Sequence, residues 1–108
     1  MFMSKIKSAA SRLGVTVAFV KSMDVAVAEM RKTSPRLVIF DLNNPRTDPL
    51  SIVATMKGDP TLASIPTVGF VSHVQSDVIH AAQEAGVDDV VARSAFVERL
   101  ADILTRAR

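Results

Sequence analysis

The sequence predicts an α/β domain: one doubly wound parallel sheet with helices on both faces. Two observations carry that expectation. Apolar spacing alternates between the helical and the strand period from one end of the chain to the other, which implies parallel strands joined by crossovers. The run Leu37–Phe40 is apolar at every position, the signature of a strand covered on both faces. At 108 residues the chain holds one domain, 1–108, large enough for a real core.

Each element has its own signal. Met3, Ile6, Ala10 and Leu13 mark one face of a first helix, closed by Gly14. Val15–Val20 alternates as a strand. Ser22 can cap a second helix with Ala26, Val27 and Met30 inward, ending before Pro35. Leu37–Phe40 is the next strand. Asp48 then reads as a cap before a first-turn proline, Pro49, opening a helix with Ile52, Val53 and Met56 inward. Gly58-Asp59-Pro60 stops it. Thr67–Val71 is a strand, and Ser76 or Asp77 starts a helix through Val78, Ala81, Ala82 and Ala85. Gly86 sits where a left-handed C-cap belongs. A short strand, Asp89–Ala92, precedes one closing helix through Phe96, Leu100, Ile103 and Leu104.

Composition excludes several functions. Apolar residues make up 48% of the chain and charged residues 22%, as in ordinary globular domains. The absence of cysteine removes disulfides, thiolate metal sites and thiol nucleophiles, and fits a cytoplasmic protein. No apolar run is long enough to span a membrane. The net charge of +2 is spread over scattered Lys and Arg, and with neither Trp nor Tyr there is no stacking platform for nucleic acid. His73 and His80 lack companions at ligand spacing, and the methionines fall at core-facing positions. No glycine-rich phosphate loop is present, which argues against a small nucleotide or flavin enzyme on this architecture.

In a parallel α/β sheet ligands bind at the carboxyl ends of the strands. Asp41, Ser72 and Arg93 each fall just past a strand there, which makes them a constellation. The stretches "PRLVIFDLNNPRTDPL", "DPTLASIPTVGFVSHV" and "QEAGVDDVVARSAF" resemble the receiver domains of two-component response regulators over nearly the whole chain. The resemblance implies a flavodoxin-like, CheY-like three-layer sandwich. It makes Asp41 the candidate phosphoacceptor, followed by Pro45 and Asp48, and Ser72 the candidate switch hydroxyl. Arg93 takes the position of the family lysine.

Four features depart from the family pattern. Arg93 replaces the lysine and Ser94 the proline after it; Val90 replaces the aromatic switch residue; Pro49 replaces a glycine. The fourth is the first, central strand and its Mg²⁺-binding acidic pair, which would lie upstream of Met1. No cofactor is therefore expected from the residues themselves. Mg²⁺ would bind at Asp41 and the Asn43 carbonyl only where upstream acids complete the set. An apolar strand before "MFMSKI" is the leading expectation. Direct pairing of the second and third strands, or a partner filling the gap, is the other.

The function so implied is a stand-alone degenerate receiver, a pseudo-receiver acting as a protein-interaction module in phosphorelay signalling and not as an enzyme. The alternative is a working phosphoacceptor whose metal-binding acids lie upstream. The partners implied are proteins: a histidine kinase, another signalling protein, or a second copy in a homodimer. The resemblance puts the partner face at roughly residues 78–107.

Overall fold

The computed structural model describes residues 2–18, 23–43, 48–72 and 75–106, without the side chains of Phe2, Met3 and Met23. The described residues form six helices and three strands. In chain order they are α1 (Phe2–Leu13), α2 (Met23–Thr33), β1 (Val38–Asp41), α3 (Pro49–Lys57), β2 (Thr67–Val71), α4 (Ser76–Ala85), β3 (Asp89–Ala92), α5 (Arg93–Glu98) and α6 (Leu100–Thr105). The strands form one parallel sheet in the order β1–β2–β3. Val38 pairs with Thr67 and Asp41 with Phe70; Val68 pairs with Asp89 and Val71 with Ala92.

Apolar burial puts a core on each face of the sheet. On one side Ala26, Val27 and Met30 of α2 meet Ile52, Val53 and Met56 of α3, with Phe40, Leu62, Ile65, Ala82 and Val87. On the other, Ile6, Ala9 and Ala10 of α1 meet Phe96, Leu100, Ile103 and Leu104, with Val68 and Phe70 of β2 between them. The inward residues expected of α2, α3 and the closing segment are these, as are Ile6 and Ala10 of α1; Leu13 is partly buried against the same core, the Met3 side chain lies outside the described ones, and Met30 and Met56 are both core. β2 is buried along its whole length, as befits the central strand of the three.

Turn chemistry sets the ends. Gly86 takes the left-handed conformation (φ 110°) and donates its N–H to the carbonyls of Ala82 and Gln83, stopping α4. A side chain at that φ would be strained, so glycine is the fitting residue. The helix stop at Gly58-Asp59-Pro60 is equally clear: Asp59 Oδ1 accepts from the Thr61 N–H at 2.9 Å and hydroxyl at 2.7 Å, and Oδ2 from Arg31 at 3.1 Å. Those bonds, Thr61's foremost, hold the Asp59 carboxyl below its usual range. At the opposite end of the sheet from Asp41, Asp88 Oδ2 accepts both the N–H and the hydroxyl of buried Thr67. The Thr67 oxygen in turn accepts the Asp88 N–H, which joins the starts of β2 and β3.

Three expectations are corrected. Residues 15–18 form no strand, while Phe19, Val20 and the capping Ser22 lie outside the described residues. The period-two pattern survives in burial: Val15 and Val17 pack against the α1-side core, and Thr16 and Ala18 are exposed. What the segment lacks is a ladder. Val38 and Leu42 donate their N–H groups to Pro66 and Phe70 on the β2 side. Ile39 and Asp41 therefore turn theirs toward the other edge of β1. Among the described residues no strand lies on that edge, so residues 15–18 and β1 do not pair directly.

The second correction is at Asp48. It occupies the position before α3, but with φ 43° and ψ 67° its side chain caps no backbone N–H. Capping needs an extended residue there, and proline at the next position already bars the right-handed helical region. Asp48 Oδ2 instead accepts the Ser51 hydroxyl at 2.7 Å. The third concerns the closing helix, which is two helices. Arg99 (φ −99°, ψ 11°) leaves helical geometry between them, and its guanidinium comes within 3.6 Å of Asp89, as does that of Arg106. The expected apolar face is kept on both sides of the break.

Candidate functional site

Parallel register places the three sequence-derived residues at one end of the sheet. Asp41 is the last residue of β1, one position earlier relative to its strand end than the sequence implied, and is half-buried. Ser72 follows β2 directly and is exposed; Arg93 follows β3 directly, opens α5 and is exposed. Pairing of Asp41 with Phe70, and of Val71 with Ala92, brings the three strand ends side by side.

The connection among them runs through Asn43. Asp41 Oδ1 accepts the Asn43 N–H at 3.0 Å, an Asx-type turn that Asn and Asp favour. Asn43 Oδ1 accepts the Ser72 N–H at 2.7 Å, and Asn43 Nδ2 donates to Gln75 Oε1 at 2.8 Å. Sequence reasoning named Asn43 only for its backbone carbonyl and did not single out Gln75. The available signal was an amide side chain in the turn after β1 facing a second amide just before α4, which only the strand register brings together.

Arg93 does not pair with Asp41. Ion pairs among the described residues join Arg31 to Asp59, and Arg99 and Arg106 to Asp89, while His80 Nε2 lies 3.3 Å from Glu84 Oε1. The His80–Glu84 pair is exposed and lies within α4, in keeping with a surface histidine. Pro45 and His73 lie outside the described residues. Val90, which the resemblance aligns with the aromatic switch residue, is half-buried against the α2–α3 core. Pro49 is buried at the start of α3.

Close packing under the site depends on Gly69. A Cβ there would stand 2.7 Å from Leu42 Cδ1 and 3.0 Å from its Cγ, and Leu42 immediately follows Asp41. Gly69→Ala should therefore shift the Leu42 side chain, whose flexible, half-buried end can give way, at a cost of about 1 kcal/mol or less. Urea unfolding measures the cost, and amide shifts at Asp41 and Asn43 report the displaced turn. Unchanged stability together with unchanged shifts would contradict this packing.

No metal centre forms from the described side chains: none of their His, Asp or Glu residues gather in groups of three that could hold an ion. Mg²⁺ requires several hard oxygen ligands in octahedral array. Asp41 brings one carboxylate, and Asp48 Oδ2 is engaged by Ser51. The described residues by themselves do not fit the ion.

No protein-family model matches the sequence, and no curated protein matches it. Solved structures do. The phosphorylated cyanobacterial phytochrome response regulator RcpA is 27% identical, with a TM-score of 0.76 over 94% of this chain and 79% of that one. The receiver domain of NtrX from Brucella abortus superimposes at a TM-score of 0.78 with 21% identity, over 94% of this chain and 85% of that one. A response regulator from Thermotoga maritima gives 0.73 and 19%, over 94% and 87%. No helix among the described residues is long and apolar enough to cross a membrane. With its parallel α/β sheet and these likenesses, the chain has the CheY-like fold seen in response-regulator receiver domains.

Proposed function

We propose that this receiver-like domain is degenerate: a signalling module that acts by binding proteins, without a full phosphorylation switch. The carrying observation is the donor set at Asp41, which among the described residues offers one carboxylate where charge on a phosphoryl group would need a cation and several oxygens to hold it. Arg93 supports the same reading. Its guanidinium keeps a positive charge at the sheet end but not the compact ammonium of lysine, and the two are not interchangeable. Histidine kinases, other signalling proteins and a second copy of the chain are the partner classes in keeping with this fold. The partner face would be the α4–β3–α5–α6 side, and the location cytoplasmic.

A second reading is favoured by one observation, the position of Asp41 at the carboxyl end of β1 in a chain similar to phosphorylated RcpA. There Asp41 accepts a phosphoryl group and Ser72 contributes its hydroxyl. Titration with Mg²⁺, followed by amide resonances, separates the two. The degenerate reading expects no saturable shift at Asp41, Leu42 or Asn43. Saturable shifts that vanish in Asp41→Asn would favour the phosphoacceptor.

A further inference from the structure

The β1–β2 ladder ends in an unusual way. Leu42 donates its N–H to the Phe70 carbonyl at 3.0 Å, and in a parallel register the next rung would carry the Ser72 N–H to the Leu42 carbonyl. Ser72 donates instead to the side chain of Asn43, at 2.7 Å. The same amide reaches on to Gln75, the residue before the first turn of α4, and the Asn43 backbone is tied to Asp41 Oδ1. One residue thus touches the acid at the end of β1, the backbone after β2 and the entrance to α4.

We propose that Asn43 is a positioning residue that couples Asp41 to the segment entering α4. The bond from the Asn43 N–H to Asp41 is made to a carboxylate, and such bonds are roughly twice as strong as those to neutral acceptors. Any change that neutralises or removes that carboxylate loosens the turn carrying Asn43. The Asn43 amide then releases Ser72 and Gln75, and the start of α4 loses its anchor. The coupling needs no contact between Asp41 and Ser72 themselves. It deepens the reading of this sheet end as the functional one, and rests on it only in naming what is regulated: the presentation of α4, on the proposed partner face.

A double-mutant cycle on the full chain tests it, with solvent exchange of the Ser72 amide measured by NMR. Asn43→Ala should speed that exchange about fivefold and Asp41→Ala about two- to threefold, while the Phe70 amide, which lies within the ladder, stays unchanged. The double variant should exchange no faster than Asn43→Ala alone. Asn43→Asp, which keeps the oxygen acceptor, should retain the protection of the parent protein. Unchanged Ser72 exchange in Asn43→Ala, or single effects that multiply in the double variant, would overturn the coupling. Should Asn43→Ala fail to fold, Gln75→Ala decides: about twofold faster exchange at Ser72 supports the bridge, and no change overturns it. No phosphodonor or metal enters this measurement, so its failure is separable from failure of the reading of Asp41.

Discussion

Phe96→Ala is expected to destabilise the domain by about 3–5 kcal/mol, the largest loss from any single side chain considered. Phe96 is 0% exposed, and its ring stands 4.9 Å from that of Phe70 with the planes tilted by 31°. It belongs to α5, and through it α5 shares one core with α1, β2 and α6. Truncation leaves a cavity bounded by helices and sheet that cannot collapse far, so the transfer loss and the cavity loss add. A domain of this kind has a total stability of about 5–15 kcal/mol, so the loss is a large share of it. Urea unfolding of parent and variant measures it. A loss below about 1 kcal/mol would mean that the α1-side core is not packed as described.

Met56→Ala comes next, at about 2–5 kcal/mol. Met56 is also 0% exposed and sits where α2, α3 and α4 close over the opposite face of the sheet. Met56→Leu keeps the volume approximately and should cost less than about 1.5 kcal/mol. Together the two truncations ask whether both faces of the sheet are covered. If Met56→Ala were silent while Phe96→Ala was severe, only one face would carry a core.

Much of this architecture is readable in the residues because burial and period agree. Thr67–Val71 and Asp89–Ala92 appear as strands with the boundaries that their apolar runs mark, and Gly86 stops α4 where its freedom from a side chain predicts. Residues 15–18 show the limit of that logic. Their alternation correctly marks which side chains face the core, but a strand also needs a neighbour to complete its ladder, and periodicity does not report one. Asp48 shows another limit. A residue type suited to capping is necessary but not sufficient, and its backbone, constrained by Pro49, aims the carboxylate at Ser51.

Site residues divide in the same way. Asp41, Ser72 and Arg93 were found because strand ends in a parallel sheet share an edge, a property of topology alone. The Asn43 side chain was not found, because its bonds to Ser72 and Gln75 depend on the β1–β2 register and on the path of the turn after Asp41. The ion pairs among the described residues do not include one between Asp41 and Arg93, and strand-end placement alone does not determine which side chains meet.

The central claim is that Asp41 sits at an acceptor's position without the surroundings that let it be phosphorylated. Incubation of the protein with acetyl phosphate and Mg²⁺, followed by intact mass, tests this directly, with Asp41→Asn as the control. The degenerate-receiver account predicts that parent and control keep their unmodified masses. A phosphoryl adduct on the parent protein, absent from Asp41→Asn, would contradict it.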